Sequence, residues 1–98
     1  AQILLAGIRI ADGQVEDADA LLAEAEERVQ LSLNPIETGD LWRMRARLAW
    51  VRGAPTAEVE RCLKEARSAF TRNSTARKRT VDEELRLLAA GRFDAALA

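Results

Sequence analysis

Hydrophobic residues recur along this chain at spacings of three and four, the period of an α-helix with one buried face. The clearest stretch follows Gly13 and runs from about Val15 to Val29 or Leu31. Acidic residues fill its first turn, where negative charge favours the helix dipole. Its apolar stripe comprises Ala18, Leu21, Leu22, Ala25 and Val29. Because alanine is small, Ala18 and Ala25 are expected to lie at close contacts with a neighbouring helix.

The same period predicts four more helices and the start of a sixth. Good helix formers dominate the composition, while the β-branched and aromatic residues typical of strands are few. The predicted fold class is therefore all-α, with no strand. The first helix of the chain ends at about Asp12. The third runs from residue 35 or residue 40 to Arg52, the fourth from Thr56 to Arg72 and the fifth from residue 75 to residue 90. The sixth begins at Phe93.

The third predicted helix is apolar on two sides. A helix that faces solvent on one side shows a single apolar stripe, so two stripes predict a helix packed between neighbours. One sector contains Leu41, Met44, Leu48 and Val51, and the other contains Trp42, Ala46, Ala49 and Trp50.

A short motif begins at Gly13 and returns at Gly53 and Gly91. Gly13 is followed by Val15 and Ala18, and Gly91 by Phe93 and Ala96, while one extra residue follows Gly53. Ala25 and Ala66 occupy the next small position, and Ala6 and Ala46 precede their glycines by seven residues. Trp42 stands eleven residues before Gly53. A helix–turn–helix motif that recurs in this way is typical of helical-repeat proteins.

These residues resemble the tetratricopeptide-repeat family. The resemblance implies antiparallel helix pairs stacked as a right-handed superhelical array, in one domain with units of about 1–33, 34–73 and 74–98. It also implies a protein–protein interaction scaffold. Two features depart from the family pattern: the period of 38 to 40 residues is long, and Glu84 stands where a small residue is expected. The segment 3–13 resembles the repeat arms of bacterial transcriptional regulators of the LuxR type.

Charge is segregated along the chain. Residues 1–40 contain nine acidic and two basic residues, while residues 41–81 contain eleven basic and three acidic ones. Such blocks can steer partners or simply solvate outer faces. The longest apolar run, residues 3–8, is too short to cross a bilayer, so no membrane association is expected. With a single cysteine and no signal-peptide pattern, the expected location is the cytoplasm.

Composition argues against an enzyme. The chain contains no histidine and no tyrosine, which excludes histidine-based hydrolytic triads and histidine metal sites. Cys62 lies in an apolar stripe without a histidine to activate it, so we expect a packed thiol. No phosphate-binding glycine loop is present. We therefore expect no catalytic residue, metal or cofactor.

Arg43, Arg47 and Trp50 share one flank of the third predicted helix and form the candidate protein-binding site. In the family that the chain resembles, the first helix of each unit lines a concave groove, which implies that this flank faces a partner. Arginine can clamp a carboxylate and tryptophan can anchor apolar groups, so we expect a protein or peptide of acidic and apolar character. Alternatively, the two arginines pair with the acidic N-terminal segment and Trp50 belongs to the core.

Two other interactions are considered from the sequence. The basic segment 43–79 could contact nucleic acid in a helical domain of another class, although the net charge of −1 counts against this. Apolar residues near both ends of the chain, without polar capping helices, predict self-association. These residues are Ile3, Leu4, Ile8, Ile10, Leu85, Leu88, Phe93 and Leu97.

Overall fold

A computed structural model describes the backbone of residues 2–32, 34–70 and 75–97, and the side chains of residues 6–10, 12–28, 34–70 and 75–95. In these ranges the chain forms five α-helices and a terminal 3-10 helix at Phe93–Leu97. The α-helices are α1 (Gln2–Ala11), α2 (Val15–Ser32), α3 (Pro35–Val51), α4 (Thr56–Phe70) and α5 (Thr75–Ala89). The predicted all-α class is confirmed for the described residues. The predicted boundaries at Leu33, Arg72 and residues 73–74 lie outside them.

The first turn of α3 resolves the two alternative starts in favour of the earlier one. Asn34 is extended, and its side-chain oxygen accepts hydrogen bonds from the backbone N–H groups of Ile36 at 3.0 Å and Glu37 at 3.3 Å. Pro35 occupies the first helical position, where its missing N–H costs nothing. Gly39 and Asp40, the competing start, therefore lie inside the helix.

The recurring glycine motif forms the same turn three times. Gly13, Gly53 and Gly91 all adopt the left-handed conformation, with φ of 79°, 77° and 73°. Each glycine N–H donates to the carbonyl three residues earlier, and the next N–H donates to the carbonyl five residues before it. These bonds define a Schellman cap, which satisfies the last carbonyls of a helix and favours glycine at its left-handed position. Helices α1, α3 and α5 thus end identically.

Helix α3 separates two hydrophobic clusters. The first cluster joins α1, α2 and α3, and the second joins α3, α4, α5 and the 3-10 helix. Leu41, Met44 and Leu48 lie in the first cluster, while Ala46, with half-buried Trp42 and Trp50, lies in the second. The predicted two-sided helix is confirmed. Val51 is the exception, because it is exposed at the end of the helix beside the glycine turn.

Successive helices pack against one another in chain order, and α1 also contacts α3. The small residues of the motif lie at these contacts. Ala6, Ala18, Ala25, Ala46 and Ala66 are all fully buried. Their burial confirms the close helix contacts predicted at Ala18 and Ala25.

The apolar residues near the chain ends divide into two groups. Ile10, Leu88 and Phe93 are buried in the two clusters, so they are not available for self-association as the sequence pattern suggested. Ile8 is 57% exposed, and Leu85 is half-buried against the second cluster. The side chains of Ile3, Leu4 and Leu97 lie outside the described residues.

Helices α3 and α4 pack closely at Gly39, and this contact generates a prediction. A β-carbon at Gly39 would lie 2.6 Å from Cδ1 of Phe70 and closer still to two other ring carbons. Phe70 is fully buried and cannot move aside. Gly39→Ala should therefore lower the free energy of unfolding by about 1–3 kcal/mol, measured by urea denaturation.

Gly7→Ala is the matched control. A β-carbon at Gly7 would meet only the flexible thioether of Met44, with Sδ at 3.1 Å. The helix propensity of alanine, worth about 1 kcal/mol over glycine, should offset the small shift that Met44 must make. If the two variants lose equal stability, the contact between Gly39 and Phe70 does not set the spacing of α3 and α4.

Candidate functional site

A groove of about 420 Å³ lies between α3 and α5. Helix α3 contributes Arg43 and Arg47, which are one helical turn apart and so lie on the same face. Helix α5 contributes the remaining lining residues: Arg79, Thr80, Glu83, Glu84 and Leu87. The groove therefore combines three guanidinium groups, two carboxylates and one large apolar side chain.

Glu84 lies at the centre of the ion pairs in this groove and is only 3% exposed. Nε of Arg43 donates a hydrogen bond to Oε1 of Glu84 at 2.7 Å. Nη2 of Arg47 lies 3.6 Å from Oε2, within ion-pair distance but too far for a hydrogen bond. Burial lowers the pKa of the Arg47 guanidinium, and the Glu84 carboxylate opposes that shift. A single buried carboxylate thus lies between two arginines from another helix.

The other two charges that line the groove on α5 differ in their surroundings. Glu83 is exposed, and its Oε2 pairs with Nη2 of Arg86 at 2.6 Å, one turn further along the helix. Arg79 is exposed and forms no ion pair within the described residues. Glu83 is paired with Arg86, further along α5. Glu84 alone therefore opposes the three arginines that line the groove, which leaves a net positive charge there.

Trp50 lies apart from Arg43 and Arg47, although all three share helix α3. Its ring meets the fully buried Phe93 edge to face, with centroids 5.5 Å apart and planes at 64°. It packs against the second hydrophobic cluster and does not line the groove. The structure therefore brings together two of the three predicted site residues and places Trp50 at the core.

Arg45 of α3 and Arg52, which follows the last residue of α3, contact the acidic N-terminal segment. Arg45 pairs with Glu26, and Nη2 of Arg52 lies 3.2 Å from Oδ2 of Asp19, both on α2. The alternative pairing of Arg43 and Arg47 with this segment is therefore wrong, because α2 and α5 lie against different sides of α3.

The groove between α2 and α4 has a volume of about 230 Å³ and is lined by equal numbers of acidic and basic side chains. The guanidinium of Arg45 lies 5.9 Å from the ring centroid of Trp42, and both residues line this groove. Cys62 also lines this groove and is buried. Burial raises the pKa of the Cys62 thiol, which fits the packed thiol expected from its apolar stripe.

Among the described residues, no group of three or more histidine, cysteine, aspartate and glutamate side chains could hold a metal ion. Within the same ranges, no helix has the length and apolar character needed to cross a membrane. No protein-family model, curated protein or solved structure matches the chain. The function is therefore inferred from the geometry of the groove.

None of the five residues that α5 contributes to this groove was predicted as a site residue. Arg79 entered the prediction only within the basic segment 43–79, and no pattern marked Leu87. Glu84 was recognised as a departure from the family pattern, and this was the signal that could have found the site. A carboxylate at a position predicted to be buried needs a cationic partner, and Arg43 and Arg47 on the neighbouring repeat could fill that role.

The position of Trp50 generates a prediction about stability. Trp50→Ala should lower the free energy of unfolding by about 2–4 kcal/mol, because it removes apolar contact and the edge-to-face pair with Phe93. Val51→Ala, at the exposed neighbour, should change it by less than about 0.5 kcal/mol. Urea denaturation of both variants measures the difference. Equal, small effects would place Trp50 on the surface.

Asp40 generates a prediction about pH. Its carboxylate lies 3.7 Å from the guanidinium of Arg77, but burial raises its pKa above the ordinary value despite the nearby arginines. The folded state therefore holds this proton more tightly than the unfolded state. The resulting stabilisation is present below the unfolded-state pKa and is lost as pH rises through the folded-state pKa.

Asp40→Asn should accordingly melt no lower than the wild type at neutral pH. The difference in melting temperature should shrink as pH falls from about 7 to about 3, where the aspartate becomes protonated. Asp94→Asn removes the same charge from an exposed site and controls for net charge. A lower melting temperature for Asp40→Asn at neutral pH would show that pairing with Arg77 outweighs burial.

Proposed function

We propose that the chain is a protein–protein interaction scaffold that binds an acidic segment with an apolar anchor in the groove between α3 and α5. It acts as the tetratricopeptide-like arm of a larger cytoplasmic protein, a bacterial signalling or transcription regulator. The observation that carries the proposal is the charge balance of the groove. Three arginines line it against two acidic residues, and one of those two, Glu83, pairs with Arg86 further along α5.

The recurring Schellman turn supports the repeat character of this arm. The same hydrogen-bond pattern follows α1, α3 and α5, and fully buried alanines occupy equivalent positions before the first two turns, at Ala6 and Ala46. A helical-repeat protein uses such equivalent units to build an extended binding surface. The groove lies between the first helices of the second and third units, which is where the family resemblance implies a binding surface.

The side chains of the groove determine which partner is favoured. Arg43, Arg47 and Arg79 would attract carboxylates and raise the rate of encounter with an acidic segment. Leu87 supplies an apolar wall on which one hydrophobic side chain of the partner can pack. Trp50 contributes indirectly, because its contact with Phe93 supports the end of α3.

The ion pairs of the basic side chains favour an acidic peptide over nucleic acid as the partner. Most of the basic residues between 43 and 79 that the structure describes have a carboxylate partner: Arg43, Arg45, Arg47, Arg52, Lys64, Arg67 and Arg77. These pairs divide the basic segment among several faces. A nucleic-acid interface requires a basic stripe on one face.

Fluorescence anisotropy tests the proposal with a short labelled peptide that is rich in aspartate and glutamate and carries one leucine. Arg79→Glu should weaken its binding about five- to tenfold, since it reverses a charge at the groove without touching the Glu84 pairs. Arg61→Glu makes the same charge change at an exposed residue beside the opposite groove, between α2 and α4. This matched control should change the affinity less than about twofold.

Two further titrations separate the partner classes. A peptide with glutamine and asparagine in place of its acids, and one with glycine in place of leucine, should both bind more weakly. A generic DNA duplex at two salt concentrations tests the alternative, because nucleic-acid affinity falls steeply with salt. Equal losses in the Arg79→Glu and Arg61→Glu variants would mean that only net charge matters and would contradict a site in the groove.

A further inference from the structure

Glu84 occupies a position at which the other repeats place alanine. It precedes Gly91 by seven residues, as Ala6 precedes Gly13 and Ala46 precedes Gly53. Both alanines are fully buried, and Glu84 is almost as deeply buried. A buried carboxylate is costly to desolvate, and a well-packed apolar residue is often at least as stabilising. Packing alone therefore gives no reason for a glutamate at this position.

The contacts of Glu84 indicate what the carboxylate does. Each oxygen faces a different arginine of α3, with Nε of Arg43 at 2.7 Å and Nη2 of Arg47 at 3.6 Å. The side chains of both arginines are also mostly buried. A long, flexible arginine loses much rotamer freedom when it is held in one geometry. Glu84 thus fixes two side chains that would otherwise have to be ordered when a partner binds.

The pair between Arg47 and Glu84 is incompletely hydrogen-bonded. Nε of Arg47 and Oε2 of Glu84 are both buried, and neither has a hydrogen-bond partner in the described structure. A buried donor without an acceptor is unfavourable, and Arg47 lines the groove. A rearrangement of the Arg47 side chain on binding would let an acceptor of the partner supply the missing hydrogen bond.

We infer that Glu84 is a positioning residue of the groove: it holds Arg43 and Arg47 so that, together with Arg79 on α5, they receive one carboxylate of an acidic partner. This inference rests on the proposed function. The partner's carboxylate comes from an aspartate or glutamate side chain, and an adjacent apolar side chain packs on Leu87. Glu84 lines the groove but is only 3% exposed, and its carboxylate is occupied by the two α3 arginines, so it acts on the partner through them.

The direction in which affinity changes when Glu84 is replaced distinguishes a positioning role from a purely electrostatic one. If Glu84 were only a negative charge near the groove, its removal would strengthen the binding of an acidic peptide. Positioning predicts the opposite, since the freed arginines must be ordered again on binding. Glu84→Gln should therefore weaken binding of the labelled acidic peptide about five- to tenfold, even though it makes the groove more positive.

Glu83→Gln is the matched control. It removes the same charge from the adjacent residue, which lines the same groove but pairs outward with Arg86. Because this variant makes the groove more positive without freeing Arg43 or Arg47, it should bind the acidic peptide more tightly, by up to about fivefold. If both variants tighten binding, Glu84 acts only through its charge and the inference is overturned. Urea denaturation establishes the conditions under which each variant is folded.

A measurement on the unmodified protein keeps the inference testable if Glu84→Gln does not fold. In nitrogen-15 relaxation spectra, the Nε–Hε group of Arg43 should be rigid and slow to exchange, while that of exposed Arg79 should be mobile. Equal mobility of the two groups would overturn positioning without any peptide. A different outcome is a rigid Arg43 in a protein that binds no acidic peptide. That result would leave Glu84 with a structural role only, and it would contradict the proposed function.

Discussion

The described structure depends on one constraint, the burial of α3 on two sides. Leu41 and Leu48 are buried with α1 and α2, while Ala46 is buried with α4 and α5. A helix with two apolar sides has only narrow strips left for polar residues. The arginines of α3 occupy those strips, so each must find a carboxylate on a neighbouring helix or line a groove. The ion pairs on either side of α3 follow from this geometry.

The ion pairs in the two polar strips of α3 differ in how deeply they are buried. The two sets of pairs therefore contribute differently to the protein. Arg45 and Arg52 meet α2 acids that remain partly or largely exposed, and exposed pairs contribute little to stability. Glu84 is buried, so its pairs with Arg43 and Arg47 act in a medium that screens charge weakly. In the second arrangement the attraction between the charges is offset by the cost of burying them, so it adds little net stability.

The helical pattern could be predicted from the sequence because helix periodicity and glycine caps are local properties. The three turns at Gly13, Gly53 and Gly91 follow from a residue that tolerates a positive φ. The site could be predicted only in part. Periodicity placed Trp50 and Ala46 in one sector, but a half-buried sector can line a groove or a core. The partner of Glu84 lies 41 residues away, and the rotation of α5 that joins them depends on tertiary packing.

The two clusters share only α3, and this has a consequence for local unfolding. Among the residues whose side chains the structure describes, every one that lines the groove comes from α3 or α5. The N-terminal helix pair could therefore open as a separate cooperative unit while the second cluster holds the arginines in register. Such opening would expose Leu41, Met44 and Leu48 on the far side of α3. The protein would then expose this apolar face of α3 while the groove between α3 and α5 remained intact.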